Sequence, residues 1–287
     1  MRRTGAALTA AGALFAISST VAVPAHASDA AETRTATREL AAQAKTDFTG
    51  IVRLNNCSGS IVAWPDSKSS DKAMMLTNGH CRKTYGAEEV ETDVDSVRTV
   101  TLLNPDGTDM ANISTTRLLY GTMFETDVAL YQLGLTYADL SSTYDVSPLT
   151  VQAKQAKPDQ RFTVISGYWR TSYQCRLNGF VYRLKEDVYT WNHSLRYRDG
   201  GCEVIHGTSG SPDVKKGTHT VIGIHNTTND NGQECTINNP CEVDRSGHVT
   251  VHQGRHYGEQ TWWFTTCLTK DGRKLDLDQP GCRLPRP

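Results

Sequence analysis

The feature that most limits what this chain can fold into is the length of its apolar runs. TGIVRL (49–54), CSGSIVAW (57–64), AMMLTNGHC (73–81), RTVTLLNPDG (98–107), VALYQLG (128–134), RFTVISGYW (161–169), GFVYRLK (179–185), TVIGIHNTT (220–228) and GHVTVHQ (247–253) are all strand-length. Most are rich in β-branched or aromatic residues and bounded by turn formers, which suits a pleated, half-buried surface. No long helical pattern alternates with them, so a parallel α/β sheet is disfavoured. Many short strands at close spacing favour antiparallel barrels or a sandwich. Near the end, YGEQTWWFTTCL (257–268) reads as one amphipathic helix that packs Trp262, Trp263 and Phe264 against the body.

Hydrophobic residues make up 38% of the chain and charged residues 21%, the balance of a globular rather than a disordered protein. The formal net charge is −1. That leaves no basic excess of the kind a nucleic-acid partner usually requires, so none is expected.

The first 27 residues read as a separate object. Arg2 and Arg3 precede an apolar run that ends at Ala25-His26-Ala27. A charged start, an apolar middle and a small-x-small exit make a secretory signal peptide. Residues 28–47, rich in Ala, Thr and charge, read as a pro-segment or N-terminal arm. No other stretch is long and apolar enough to span a bilayer, so no membrane association is expected once the signal is removed.

Export changes the meaning of the cysteines, Cys57, Cys81, Cys175, Cys202, Cys235, Cys241, Cys267 and Cys282. An even number in an oxidising compartment implies disulfides, and no CxxC pair with zinc spacing is present. Sequence alone allows about a hundred pairings. Nearest-neighbour pairing, Cys57–Cys81, Cys175–Cys202, Cys235–Cys241 and Cys267–Cys282, is the expectation.

Three short motifs carry chemistry. LTNGHC puts His80 at the end of a strand, directly before Cys81; a Cys57–Cys81 bridge would fix its loop. TDVALYQL puts Asp127 at the mouth of an apolar strand. Either residue alone is more often structural. GTSGSP places Ser209 two residues after Gly207, where a sharp backbone turn allows the N–H groups of Gly207 and Ser209 to point at one developing oxyanion. Ser211 stands where a GxSxG elbow needs glycine, which argues against the α/β-hydrolase arrangement.

With CSGSIV and VIGIH, these motifs make the chain resemble the trypsin/chymotrypsin-like serine proteases from about Phe48 to Gln260. The resemblance implies an all-β fold of two antiparallel six-stranded β-barrels with the active site in the cleft between them. Residues 48–262 would form that domain; the segment from Gly258 onward has no counterpart in the family's core, and a C-terminal helix and a disulfide-bonded tail, 263–287, are expected in addition. It implies that His80 is the general base, Asp127 orients it and Ser209 is the nucleophile of a secreted endopeptidase. Protein or peptide is the expected substrate, and a monomer without cofactor or metal is the expected form. Two departures stand out. Thr208 occupies the place where animal trypsins carry an aspartate for zymogen activation, and GIV at Gly50–Val52 lies too near Cys57 to be an activation sequence.

GTSGSP followed by VIGIH resembles most the glutamyl-endopeptidase branch of bacterial secreted proteases. By that likeness His225, backed by hydroxyls such as Thr227, meets a substrate carboxylate and favours Glu or Asp before the scissile bond. Val204 stands where that branch has a hydroxyl, and Glu203 aligns with the acid that gives trypsins their Arg/Lys preference. Acidic specificity is favoured, with basic specificity as the alternative. A catalytically inactive binding protein normally loses a triad member, and all three are present. A zinc hydrolase using His80, His206, His225 or His252 lacks an HExxH motif.

Overall fold

The structure is a computed structural model that describes residues 46–287; the expected signal peptide, and all but the last two residues of the expected pro-segment, lie outside the described residues. The N-terminal half is built from β1 (Ile51–Arg53), β2 (Ser58–Ala63), β3 (Lys72–Thr77), β4 (Val90–Asp95), β5 (Thr99–Leu103), β6 (Asp109–Thr122) and β7 (Val128–Thr136). Six of these pair in the order β1-β5-β6-β7-β3-β2, and β1 returns to pair with β2, so the sheet closes into a barrel; β4 pairs on the outside with β6. β2 is buried along its whole length, and β3 after its first residue, because SGSIVA and AMMLT carry no charge. Closure removes the free strand edges of the sheet.

Helix α1 (Tyr137–Tyr144) follows β7 directly, started by a capping box between Thr136 and Asp139. β8 (Leu149–Val151) then runs parallel to β2, joining the first barrel to the strands that follow. These are β9 (Arg161–Ser166), β10 (Thr171–Phe180), β11 (Arg183–Glu186), β12 (Tyr189–Asn192), β13 (Leu195–Tyr197), β14 (Pro212–Lys215), β15 (Thr220–Thr228), β16 (Cys241–Val243), β17 (Val249–Thr250) and β18 (His256–Gln260). β15 pairs with β14, β14 with β9, β9 with β10, β10 with β13, β13 with β18, and β18 again with β15. β12-β11-β16-β17 form a separate four-stranded sheet.

Two local expectations are corrected. GFVYRLK is not one strand: β10 ends at Phe180 and β11 begins at Arg183. YGEQTWWFTTCL is not one helix. Its first residues lie in β18, and only Trp262–Cys267 coil, as a 3-10 helix. β18 has partners on both sides, β13 and β15, and those ladder hydrogen bonds override a helical apolar spacing.

The disulfides are Cys57–Cys81, Cys175–Cys202, Cys235–Cys241 and Cys267–Cys282, the nearest-neighbour set. The residues after β18 turn back onto the first barrel. Phe264 stacks on Trp64 and meets Tyr120 edge-on, both at 5.9 Å between ring centroids. Trp263, Phe264, Cys267 and Leu284 join the same core as β2, β3 and β7, and the Tyr120 hydroxyl donates to Pro285 O at 2.9 Å. The tail is thus a layer of the first barrel's core. No helix among the described residues is long and apolar enough to cross a membrane.

Candidate active site

His80 sits three residues beyond β3, in a loop pinned from two sides. Cys81 is tied to Cys57 at the entrance to β2. Gly79 passes so close to Thr122 O and Asp127 Oδ1 that a side chain there would strike both. Asp127, just before β7, is completely buried. Its Oδ1 accepts the His80 backbone N–H at 3.0 Å, and its Oδ2 lies 2.6 Å from His80 Nδ1. The Asn78 amide donates to Asp127 O at 2.7 Å and fixes that backbone. Burial disfavours a charged His80. The charge and hydrogen bond of Asp127, with the charge of Glu186, outweigh it and hold the imidazole pKa above the ordinary histidine value. A carboxylate on Nδ1 leaves Nε2 as the ring's proton acceptor.

Ser209 lies in the loop before β14. The N–H groups of Thr208, Gly210 and Ser211 donate to Ile205 O, His225 O and Thr208 O. Among the described residues, those of Gly207 and Ser209 donate to nothing. Gly207 has φ of +83°, which an L side chain resists. The indole N–H of Trp169 donates to His206 O at 2.6 Å. A trans peptide is planar, so fixing the His206 carbonyl toward Trp169 sends the Gly207 N–H the opposite way. The loop is tied to the first barrel by the Ser58 N–H, which donates to Ser209 O at 2.8 Å. The Ser209 hydroxyl donates to Asn226 O at 3.3 Å.

These groups share one cavity of about 230 Å³, whose walls include His80, Asp127, Ser209, His225 and Thr227. Glu203 is exposed and is not among its lining residues. His225 is buried, with Tyr197 at 5.8 Å and His256 at 6.0 Å between ring centroids, and its Nδ1 has no partner among the described residues. Burial, then the charges of His256, His80 and His206, push its pKa well below the usual value, so the ring is neutral. His256 Nδ1 is 2.7 Å from the Thr228 hydroxyl.

Several residues of the site had no signal in the sequence. Glu186 lies on the cavity wall, Trp169 fixes the His206–Gly207 peptide, and Glu259 lies near enough to Asp127 to feel its charge. Thr126, Ser194 and Asn226 all donate to the Glu259 carboxylate, at 2.9, 3.0 and 3.0 Å. Thr126, beside Asp127 in TDVALYQL, and Asn226, beside His225, lay within stretches already of interest, but their shared partner did not mark itself. The one cluster of metal-ligating residue types among the described residues is Cys57, His80 and Cys81. Its sulfurs are joined in a disulfide and offer no thiolate, so this donor set does not fit a metal.

A family model described as "Trypsin-like peptidase domain" matches residues 57–224. No curated protein matches the chain. Solved structures similar to it include the MamO protease domain from Magnetospirillum magneticum, at 14% identity and TM-score 0.47, covering 78% of this chain and 98% of that one. Kallikrein-related peptidase 10 is 16% identical with TM-score 0.46, covering 77% and 94%. A Nocardiopsis protease is 14% identical with TM-score 0.43, covering 75% and 93%.

Proposed function

The chain belongs to the trypsin-like peptidase domain family, and on that premise we propose that it is a secreted serine endopeptidase with His80, Asp127 and Ser209 as its triad. The observation that carries this reading is the Asp127–His80 pair, 2.6 Å apart, opening onto the same cavity as Ser209. A serine hydroxyl is a poor nucleophile until an imidazole takes its proton. In the proposed reaction the Ser209 hydroxyl leaves Asn226 O and passes its proton to His80 Nε2 as Oγ attacks the scissile carbonyl. Such contacts are often loose before substrate binds. Asp127 stabilises the imidazolium, and the unused N–H groups of Gly207 and Ser209 receive the oxyanion. His80 then protonates the leaving amine, and water, activated by the same imidazole, releases the acyl group.

In this reading the ring of pairings from β9 to β18 is a second barrel, the cavity is part of the cleft between the two, and residues 48–262 are the protease domain with 263–287 as its tail. Four disulfides support an oxidising destination, reached through the expected signal peptide. The enzyme would act as a monomer on protein or peptide.

For specificity, a carboxylate entering this cavity must find a donor, because burying it unpaired is costly. His225 and Thr228 stand on the wall, and His256 packs against both. Glu203, exposed and away from the lining, is poorly placed to attract Arg or Lys. We therefore assign a preference for Glu or Asp before the scissile bond, as in the glutamyl-endopeptidase branch.

The test has two parts. A fluorophosphonate should label Ser209 and abolish activity while a chelator does nothing; unlabelled protein would refute the protease reading. Peptides with Glu before the cleaved bond should be cut best, and His225→Val should remove that preference selectively. Efficient cleavage after Arg with none after Glu would refute the specificity and leave the triad standing.

A further inference from the structure

We propose that Glu186 is a cation-binding residue of the substrate cleft, receiving an ammonium group carried by the peptide on the acyl side of the scissile bond. The inference rests on the endopeptidase reading above. Glu186 closes β11, is 8% exposed and lies on the wall of the cavity that holds His80 and Ser209. Its Oε2 accepts the Thr227 hydroxyl at 2.6 Å and its Oε1 accepts the Asn238 N–H at 3.0 Å. Both donors are neutral. A carboxylate has about four lone-pair sites, so two hydrogen bonds leave it half satisfied. No ion pair among the described residues involves Glu186, although the other buried carboxylate facing this cavity, Asp127, has His80.

Burial raises the pKa of Glu186, against the two hydrogen bonds and the nearby charge of His80, while Asp127 adds to the rise. A buried acid with no fixed counter-ion, facing an open cavity, is best neutralised by a charge that arrives with the ligand. The rest of the wall suits the stem of such a group. Met123, Tyr189, Trp191 and Ile237 line the same space, and a lysine's methylenes pack on surfaces of this kind while its head reaches a polar partner.

The placement on the acyl side follows from β15. β14 pairs with it no further than Ile224, and from Thr227 to Thr228 β15 pairs only with β18. The other edge is bonded to the Ser209 loop at His225, through Gly210 N–H and Ser211 O, and beyond it no backbone hydrogen bond among the described residues reaches that edge, where Asn226 to Thr228 line the cavity. An extended peptide added to that edge, with its acidic side chain at His225, continues past Thr227, and the Thr227 hydroxyl is already bonded to Glu186. The ammonium has two sources, a lysine side chain in one of the residues before the cleaved bond or the free amino terminus of a short peptide.

The experiment uses the purified enzyme, titrated with a fluorophosphonate, and fluorogenic peptides with Glu fixed before the cleaved bond. Lysine or norleucine is placed at each of the preceding positions in N-acetylated peptides, alongside short peptides with free or acetylated termini. The expected result is a lysine-to-norleucine ratio in kcat/KM of about tenfold or more at one position, or a free-to-acetylated ratio of that size, falling to near one in Glu186→Gln. The first pattern identifies the side chain as the source and the second the terminus. Ratios near one throughout in the wild-type enzyme would overturn the inference without any variant being needed. So would a Glu186→Gln enzyme in which both rates fall together and the ratio survives, because that marks a residue that only holds the Asn238 loop. Full labelling with flat ratios rejects Glu186 alone; absent labelling rejects the endopeptidase reading and this inference together.

Discussion

The two halves of the molecule bury different chemistry. Among described residues up to Leu149, the buried carboxylate is Asp127, and apart from the Asn78 amide the rest of that core is aliphatic, aromatic, sulfur-bearing or hydroxylic. The strands from β9 onward bury Glu186, Asp213, His225, Glu242, His256 and Glu259. A dry core sets shape and is largely indifferent to pH, whereas a core with ionisable groups ties its stability to their protonation. On the proposed reading, the first half is the frame that aims one acid at one histidine, and the second is the part that meets the substrate. Glu259 joins them: it accepts from Thr126, next to Asp127, and from Asn226, whose carbonyl holds the Ser209 hydroxyl. Burial, then the charge of Asp127, raises its pKa to about 8, against the three hydrogen bonds.

The sharpest way to break this division is to remove one reacting group from each half. Ser209→Ala in the second and His80→Ala in the first should each lower turnover by about 10⁶, because either loss disables the same unit. Asp127→Ala should cost about 10⁴, since the imidazole remains but loses its orientation. In the intact enzyme, activity should rise with pH as His80 loses its proton, at a pH above the reference value of about 6.5, because Asp127 holds that pKa up. Steady-state kinetics check all of these. Ser211→Ala eliminating activity while Ser209→Ala spares it would move the nucleophile.

A smaller effect belongs wholly to the second half. Trp169→Phe keeps an aromatic ring but removes the donor to His206 O. Losing an oxyanion donor outright costs about 10²–10³ in kcat, and a peptide left free to turn should cost less, about tenfold. The expected signature is a lower kcat and slower fluorophosphonate labelling, with KM and the His80 pH profile unmoved. A fall in thermal stability with no change in kcat would make Trp169 a packing residue only.

How much of this was legible in the sequence depends on how local each signal is. β2, β3, β7 and β15 were readable because SGSIVA, AMMLT, VALYQL and TVIGIH are apolar and strand-length by themselves. β4 and β13 were not, because VETDVD and LRY become strands only through partners far along the chain, and β12 (YTWN) was not, because four residues across a two-residue turn from β11 carry little pattern of their own. The candidate triad stood out because glycines, cysteines and apolar strands surround each member. Glu186 did not, since it follows the GFVYRLK run among charged neighbours, Lys185 and Asp187, with nothing to mark it until Thr227, 41 residues on, closes over it. Glu259 was hidden in a stretch whose apolar spacing imitates a helix.

The last prediction leaves turnover aside and tests the comparison on stability alone. Asp213 is fully buried, and burial raises its pKa to about 8, the hydrogen bond from Tyr197 working the other way. The Tyr197 oxygen lies 2.8 and 2.7 Å from the two carboxyl oxygens. One phenol proton fills one of these contacts, and the proton of a neutral acid fills the other. An unfolded aspartate titrates near about 3.9. Between about pH 4 and 8 the folded chain thus holds a proton that the unfolded chain has released, and stability falls as pH rises, by up to about 1.4 kcal/mol per pH unit for one proton. Asp71, in the first half, has the opposite sign. Its hydrogen bond to Arg273 lowers its pKa, so the stability it provides is present above about pH 4 and is lost as pH falls through the lowered value. Asp213→Asn keeps partners for Tyr197 and removes the titration, so its melting temperature should decline less than that of wild type from pH 5 to 8. Asp71→Asn should leave that decline intact and alter only the acid side. Equal slopes for wild type and Asp213→Asn between pH 5 and 8 would show that Asp213 is not held as a neutral acid, and would remove it from the contrast between the two cores.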